Sequence, residues 1–268
     1  MSKTLGILGC GKMAYALTKG ICQDNNHAYD RIYACDVSNE RTELFAREFA
    51  CITVDRSKLI EQSDVIIIAV KPAQVEEILA DTDKLWSRDK LLISVAAGIK
   101  TINIESQLKE MVPIVRVMPN TPCLIGQGVS AISAGSYATE EHLKIVQDLL
   151  QRVGLCILIK EDYMDAVTAV SGSGPAYAFL VVEAMIDAAL QVGLSRDIAE
   201  KLVVQTFKGS LQMLEETGQH PAVLKAQVTS PGGTTIAALK ELEAGGLRTA
   251  FFNAVEKACQ RSMEMGKH

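Results

Sequence analysis

Two rhythms alternate from residue 3 to about residue 160, and that alternation narrows the possible folds more than any other feature of the sequence. Short runs rich in valine and isoleucine fall at 4–8, 31–35, 51–54, 65–70, 91–95, 114–118, 129–133 and 155–159. Amphipathic stretches lie between them. Ala14, Leu17 and Ile21 share one helical face, as do Leu143, Val146, Leu149 and Leu150 behind Thr139 as an N-cap. Apolar runs of this length suit strands, and their alternation with helices predicts a mainly parallel sheet with helices packed on it. After about Asp162 the strands stop. Helical patterns follow at 163–170, 175–192, 196–217 behind Ser195 and closed by Gly218, and 247–265, with short segments from Pro221 and Pro231 before the last. The chain is thus expected to divide into a sheet domain at 1–161 and an all-helical domain at 162–268.

Composition removes several classes of function. With 48% hydrophobic and 22% charged residues the 268-residue chain reads as a packed protein, not a disordered or fibrous one. The balance of 27 basic against 32 acidic residues leaves a formal charge of -5, which provides no field for a nucleic-acid backbone or an anionic membrane, so neither is expected as a partner. The seven cysteines are at least twelve positions apart and mostly sit in apolar runs, so they read as small core residues in a reducing compartment, with no metal site. The start, Met1-Ser2-Lys3-Thr4, lacks the apolar region of an export signal, and a cytoplasmic location is expected. The 175–192 helix is apolar on nearly every side, which places it in a core or a subunit interface; Glu183 and Asp187 one turn apart suit that better than a membrane span.

Chemistry enters at the glycine turn Gly6-Ile7-Leu8-Gly9-Cys10-Gly11-Lys12-Met13-Ala14. It follows a strand and opens a helix, so Gly9, Cys10, Gly11, Lys12 and Met13 can bring backbone amides and a positive helix end to a dinucleotide pyrophosphate, with Ala14 in place of the third glycine. The fold class that results is α/β, a Rossmann-type mostly parallel sheet domain followed by helices. Asp36 at the end of the next strand can accept from a ribose diol, favouring NAD; Ser38, Asn39 and Arg41 just after it can instead hold the extra phosphate of NADP, with Asp36 turned away. The sequence leaves NADPH or NADH open. Ala69, Val70, Lys71 and Pro72 end a buried strand on the ligand-binding edge, as do Ala97 and then Met118, Pro119 and Asn120 after the next two strands. Prolines on both sides stiffen Asn120 for a carboxamide or ribose.

Five segments in this order, Gly6–Ala14, Ala69-Val-Lys-Pro72, Arg116-Val-Met-Pro-Asn-Thr-Pro122, Ser171-Gly-Ser-Gly-Pro-Ala-Tyr177 and Ser230-Pro-Gly-Gly-Thr-Thr235, resemble the pyrroline-5-carboxylate reductase family over nearly the whole chain. The resemblance implies reduction of 1-pyrroline-5-carboxylate to L-proline, the last step of proline biosynthesis, by hydride transfer from NAD(P)H to C5. It also implies a homodimer of interlocked helices, often built into a larger ring. By similarity, Thr235 hydrogen-bonds the ring nitrogen, Ser230 helps fix the carboxylate loop, and the 171–175 turn lies beside the nicotinamide.

The residues agree with that chemistry. Pro231, read as the first helical position, and two glycines leave bare amides at a helix start, so Gly233 and Thr234 can bind a carboxylate without an arginine. Relatives that oxidise β-hydroxy acids place a lysine where Tyr177, Ala178 and Phe179 stand here, and an imine nitrogen needs no such base. Tyr177 reads as a packing residue and His220 as a loop residue beside a helix start. Two rivals stay open: another imine or hydroxy-acid reductase, and a non-catalytic dinucleotide sensor.

Overall fold

The computed structural model describes residues 3–23 and 29–266. Met1 and Ser2, part of the reading on export, lie outside the described residues. Eight strands form one sheet: β1 (Lys3–Leu8), β2 (Tyr29–Cys35), β3 (Ile52–Thr53), β4 (Val65–Ile68), β5 (Leu91–Ser94), β6 (Ile114–Met118), β7 (Gly128–Ala134) and β8 (Gly154–Leu158). Their order is β3-β2-β1-β4-β5-β6-β7-β8. Every neighbouring pair is parallel except β6 with β7, so β7 and β8 run against the other six. The first six follow the Rossmann order with its switch point between β1 and β4, where parallel sheets of this kind open a ligand crevice.

Alternation of side chains across the strands builds two cores. Leu5, Ile7, Val65, Ile67, Leu91, Ile93, Val115 and Val117 face α1 (Lys12–Ile21), α2 (Asn39–Phe49) and α6 (Glu140–Leu150). Ile66, Ile68, Leu92 and Ile114 face the other way, toward α3 (Arg56–Gln62), α4 (Pro72–Thr82) and α5 (Thr101–Glu105). All four residues of β4 are buried because both faces of the sheet are covered. The expected strand at 65–70 stops at Ile68: Ala69 and Val70 bend against the glycine turn.

Helices make up the rest: α7 (Met164–Val167), a wide turn at Thr168–Gly172, α8 (Gly174–Gln191), α9 (Arg196–Thr217), α10 (Pro221–Gln227), α11 (Thr234–Ala244) and α12 (Leu247–Met265). Gly218, at φ 60°, ends α9 in the left-handed region, as its position in the sequence implies. The chain forms two compact units, one holding the residues up to Ser173 with those from Lys257 onward, the other Gly174–Glu256. The compact units divide at 173/174 rather than at the functional boundary expected at 161/162, and residues between the two are bonded within the first unit. Glu161 accepts from the Arg116 guanidinium at 3.2 Å and from the Thr101 hydroxyl at 2.7 Å, and the Ser262 hydroxyl of α12 donates to Asp165 at 2.6 Å.

The second unit is short of a core. Only Ala199 and Val203 of Gly174–Glu256 are buried, while Phe179, Leu180, Leu211 and Phe252 are each more than 60% exposed. α8 contains no buried residue, so of its two expected surroundings, core or interface, the single chain does not supply the first. By length and composition the stretch Glu161–Gln191 is also apolar enough to cross a membrane.

Candidate active site

Gly9, between β1 and α1, adopts φ 91°. A Cβ there would lie 2.7 Å from the Ala69 carbonyl oxygen and 2.8 Å from Val70 Cγ1, so both its conformation and its closeness to β4 require glycine. Its N–H donates to the Cys35 carbonyl at 2.8 Å, which fastens the turn to the end of β2. Gly11 has a different job. It is the N-cap of α1, no side chain caps that helix, and a Cβ on Gly11 would meet nothing within 4 Å. The first-turn amides of Lys12, Met13 and Ala14 have no carbonyl inside the helix to bond, so this end offers donors and partial positive charge to an anion. Buried Ala14 lets the helix sit close on the sheet.

The open space belongs to a cleft of about 540 Å³ that brings together Gly9, Gly11, Asp36, Ala69, Val70 and Lys71. A dinucleotide fits it on the evidence of a bare helix end over which only glycine stands. Val37, Asp55, Arg56, Gln74 and Ile78 also line it, none of them expected from the sequence. Val37 and Asp55 each lie two residues past a strand of a parallel sheet, so the strand-end rule reaches them; Gln74 and Ile78 come from α4 and carry no such signal. Lys12 is exposed, Met13 packs on the core, and Pro72 opens α4. Ala97, Met118, Pro119 and Asn120 do not line this cleft but stand at the ends of β5 and β6, farther along the same sheet edge.

The half-buried Asp36 carboxylate is engaged by the backbone. One carboxylate oxygen accepts the Cys10 N–H at 2.6 Å and the other the Ser38 N–H at 2.9 Å. Arg41 Nε donates to the Cys10 carbonyl at 2.6 Å, which fixes the guanidinium beside the glycine turn. Ser38 is the N-cap of α2 and Asn39 its exposed first residue. Burial first, and then the Asp36 carboxylate, push the Cys10 thiol up to about 12, so the thiol stays neutral and Cys10 acts through its backbone. All seven cysteines are free thiols.

Asn120 spends its side chain within the protein. Its Oδ1 accepts from Val129 N–H at 2.9 Å, and its Nδ2 donates to the carbonyl and hydroxyl of Ser171 at 3.3 and 3.4 Å. The residue was expected to face a carboxamide or ribose; its hydrogen-bonding groups face other parts of the chain instead.

The 230–235 motif, in the second unit, differs in one respect from its expected form. Pro231 does not begin the helix. Gly232, at φ 70°, turns the chain, extended Gly233 is the N-cap, and α11 starts at Thr234. A Cβ on Gly233 would come 2.3 Å from Ser230 Oγ, so the serine hydroxyl packs over that position. The Gly233 N–H closes the turn on the Ser230 carbonyl at 3.1 Å. The free donors are therefore the first-turn amides of Thr234, Thr235 and Ile236. Among the described residues no side-chain hydrogen bond engages the Thr235 hydroxyl. Tyr177 is half-buried on α8, and His220 is the N-cap of α10, its Nδ1 accepting from Ala222 N–H at 3.2 Å.

A sequence profile of pyrroline-5-carboxylate reductase dimerisation matches residues 161–265, and one of coenzyme F420-dependent NADP oxidoreductases matches 4–98. A pyrroline-5-carboxylate reductase of Corynebacterium melassecola is 40% identical over 269 residues, 99% of each chain. The chain belongs to the pyrroline-5-carboxylate reductase family. Two solved members superpose over nearly all of it. The Coxiella burnetii enzyme gives a TM-score of 0.90 at 34% identity over 100% of both chains. The Plasmodium falciparum enzyme, solved with NADP bound, gives 0.89 at 34% identity over 98% of each. Membership supplies the missing surroundings of α8, since the family's dimerisation segment is the one whose apolar faces lie bare here.

Proposed function

We infer that this chain reduces 1-pyrroline-5-carboxylate to L-proline with NAD(P)H as hydride donor. The observation that carries the reading is identity of 40% along 99% of a pyrroline-5-carboxylate reductase, a match that includes both the glycine turn and the 230–235 motif. The imine carbon, C5 of the proline formed, accepts the hydride; the carbon–nitrogen double bond becomes single, and the nitrogen carries the proton. A reduced nicotinamide bound at the glycine turn supplies that hydride.

Each site residue then has a task. Gly11, Lys12 and Met13 present backbone amides to the pyrophosphate, while Gly9 and Cys10, whose N–H groups bond Cys35 and Asp36, shape the turn under it; Ala69, Val70, Lys71 and Pro72 form one wall, and Ala97, Met118 and Pro119 lie toward the nicotinamide. Asp36 holds the turn in shape through Cys10 and Ser38. With its carboxylate so engaged and the Arg41 guanidinium fixed alongside, Ser38, Asn39 and Arg41 favour the 2′-phosphate of NADPH over a bare ribose diol. The substrate carboxylate rests on the amides of Thr234 and Thr235 beside Ser230, while Gly233 keeps Ser230 close. The Thr235 hydroxyl holds the ring nitrogen. The iminium form already carries its proton, so positioning and electrostatics suffice without a strong protein acid.

The functional division stays at 161/162, with 162–268 providing dimerisation and substrate binding. The working form is a homodimer or a ring of dimers, and seven free thiols support a cytoplasmic location. Thr235→Ala tests the site. Losing a hydrogen bond formed at the reacting group lowers kcat roughly 10- to 100-fold, while the Kd for NADPH, read by fluorescence, stays within about twofold. An unchanged kcat contradicts the role given to Thr235.

A further inference from the structure

One face of β6 and its extension carries Arg116, Met118 and Asn120, two residues apart each time, and all three reach the same segment, residues 161–172. Arg116, buried, donates to Glu161 at 3.2 Å. The Met118 methyl lies so near Gly172 that a Cβ there would approach it to 2.4 Å. Asn120 reaches Ser171. That segment is no ordinary helix: Ser173 N–H bonds the Thr168 carbonyl at 2.9 Å, five residues back, a wide turn of a kind that is rare and frequent at functional sites.

We propose that Asn120 is a positioning residue, not a cofactor ligand: its amide clamps the wide turn at 168–172 to the carboxyl end of β6. The orientation of the amide is fixed by chemistry. Val129 N–H is a donor and needs the carbonyl oxygen of Asn120, so the NH2 group faces Ser171, whose carbonyl can only accept and whose hydroxyl accepts here. Asn120 is 8% exposed, and its carbonyl and amine are each engaged. The proposal rests on the reductase reading in one respect, that the 171–174 turn borders the reacting nicotinamide; the clamp itself stands without it.

Asn120→Asp, made in a Ser171→Ala background so that no hydroxyl can turn to donate to the new carboxylate, separates the two ends of the clamp: the carboxylate still accepts from Val129 but cannot donate to the carbonyl of residue 171. In the full-length protein without cofactor, hydrogen exchange at 168–173 is expected to quicken about tenfold or more while Val129 and the amides of β4 keep their protection. With cofactor and substrate, kcat falls roughly tenfold and the Kd for NADPH stays within about twofold. Asn120→Ala, which loses both ends, exposes Val129 as well. Unchanged exchange at 168–173 in Asn120→Asp overturns the clamp. So does a large rise in the NADPH Kd with exchange unchanged, the signature of direct contact. Faster exchange with kcat unaltered removes the catalytic consequence. If the wild type turns over no pyrroline carboxylate, the reductase reading fails while the exchange result still decides the clamp.

Discussion

Arg41 and Asp36 show how a pair of charged residues can be read two ways in sequence and one way in space. A strand-end acid followed by Val-Ser-Asn-Glu-Arg is compatible with either cofactor. In the fold the acid bonds two backbone amides and the arginine bonds the Cys10 carbonyl, so the acid shapes the turn and the base is left beside the cleft. Arg41→Ala is therefore expected to raise the KM for NADPH by roughly 10- to 100-fold, the worth of a charge-assisted contact, and that for NADH far less. Steady-state kinetics with each cofactor check this; equal losses would mean that Arg41 only supports the turn. Gly9 and Gly11 were legible as a pair in the sequence, but their different tasks were not. Only the approach of Ala69 and the emptiness over Gly11 tell a packing glycine from a ligand-facing one.

At the scale of elements, α6 joins helix capping to pH. The neutral His142 ring accepts the Thr139 N–H at 3.0 Å, and burial pulls its pKa below the ordinary value of 6.5. The folded protein thus binds this proton more weakly than the unfolded chain does. Stability is untouched above pH 6.5 and declines as pH falls through that value, because the unfolded state gains the proton first. The melting temperature is expected to drop by up to about 2–4 °C for a cap worth roughly 1 kcal/mol. His142→Gln keeps an acceptor at that position and should flatten the step; a step of equal size in the variant would assign it to another group. All eight strands were legible because Val and Ile runs between turn residues leave little choice. The start of α11 was not. Pro231 has the form of a first helical residue, and the positive φ of Gly232, which moves that start to Thr234, leaves no mark in hydrophobic pattern.

For the whole molecule, hydrophobic pattern announced that α8 needed apolar surroundings but not where they come from. Phe179, Leu180 and Phe252 stay bare in one chain, more apolar surface than a solitary unit with two buried residues can sustain. Light scattering of the purified protein is expected to give at least twice the 29.0 kDa chain mass. Leu180→Glu should lower it toward one chain or prevent folding of the helical unit; a monomeric wild type would refute the dimer. Arg116 and Glu161, far apart in sequence, bind the start of the 161–173 segment to the sheet, and a buried ion pair of that kind has no local signature.

The central claim is a hydride passing from a nicotinamide to the imine carbon of pyrroline carboxylate, and isotope transfer tests it most directly. NADPH carrying deuterium at nicotinamide C4, each epimer in turn, is supplied with 1-pyrroline-5-carboxylate, and the product is analysed by NMR and mass spectrometry. One epimer is expected to give L-proline bearing a single deuterium at C5. The account is contradicted if no proline forms, or if proline forms from both epimers without the label.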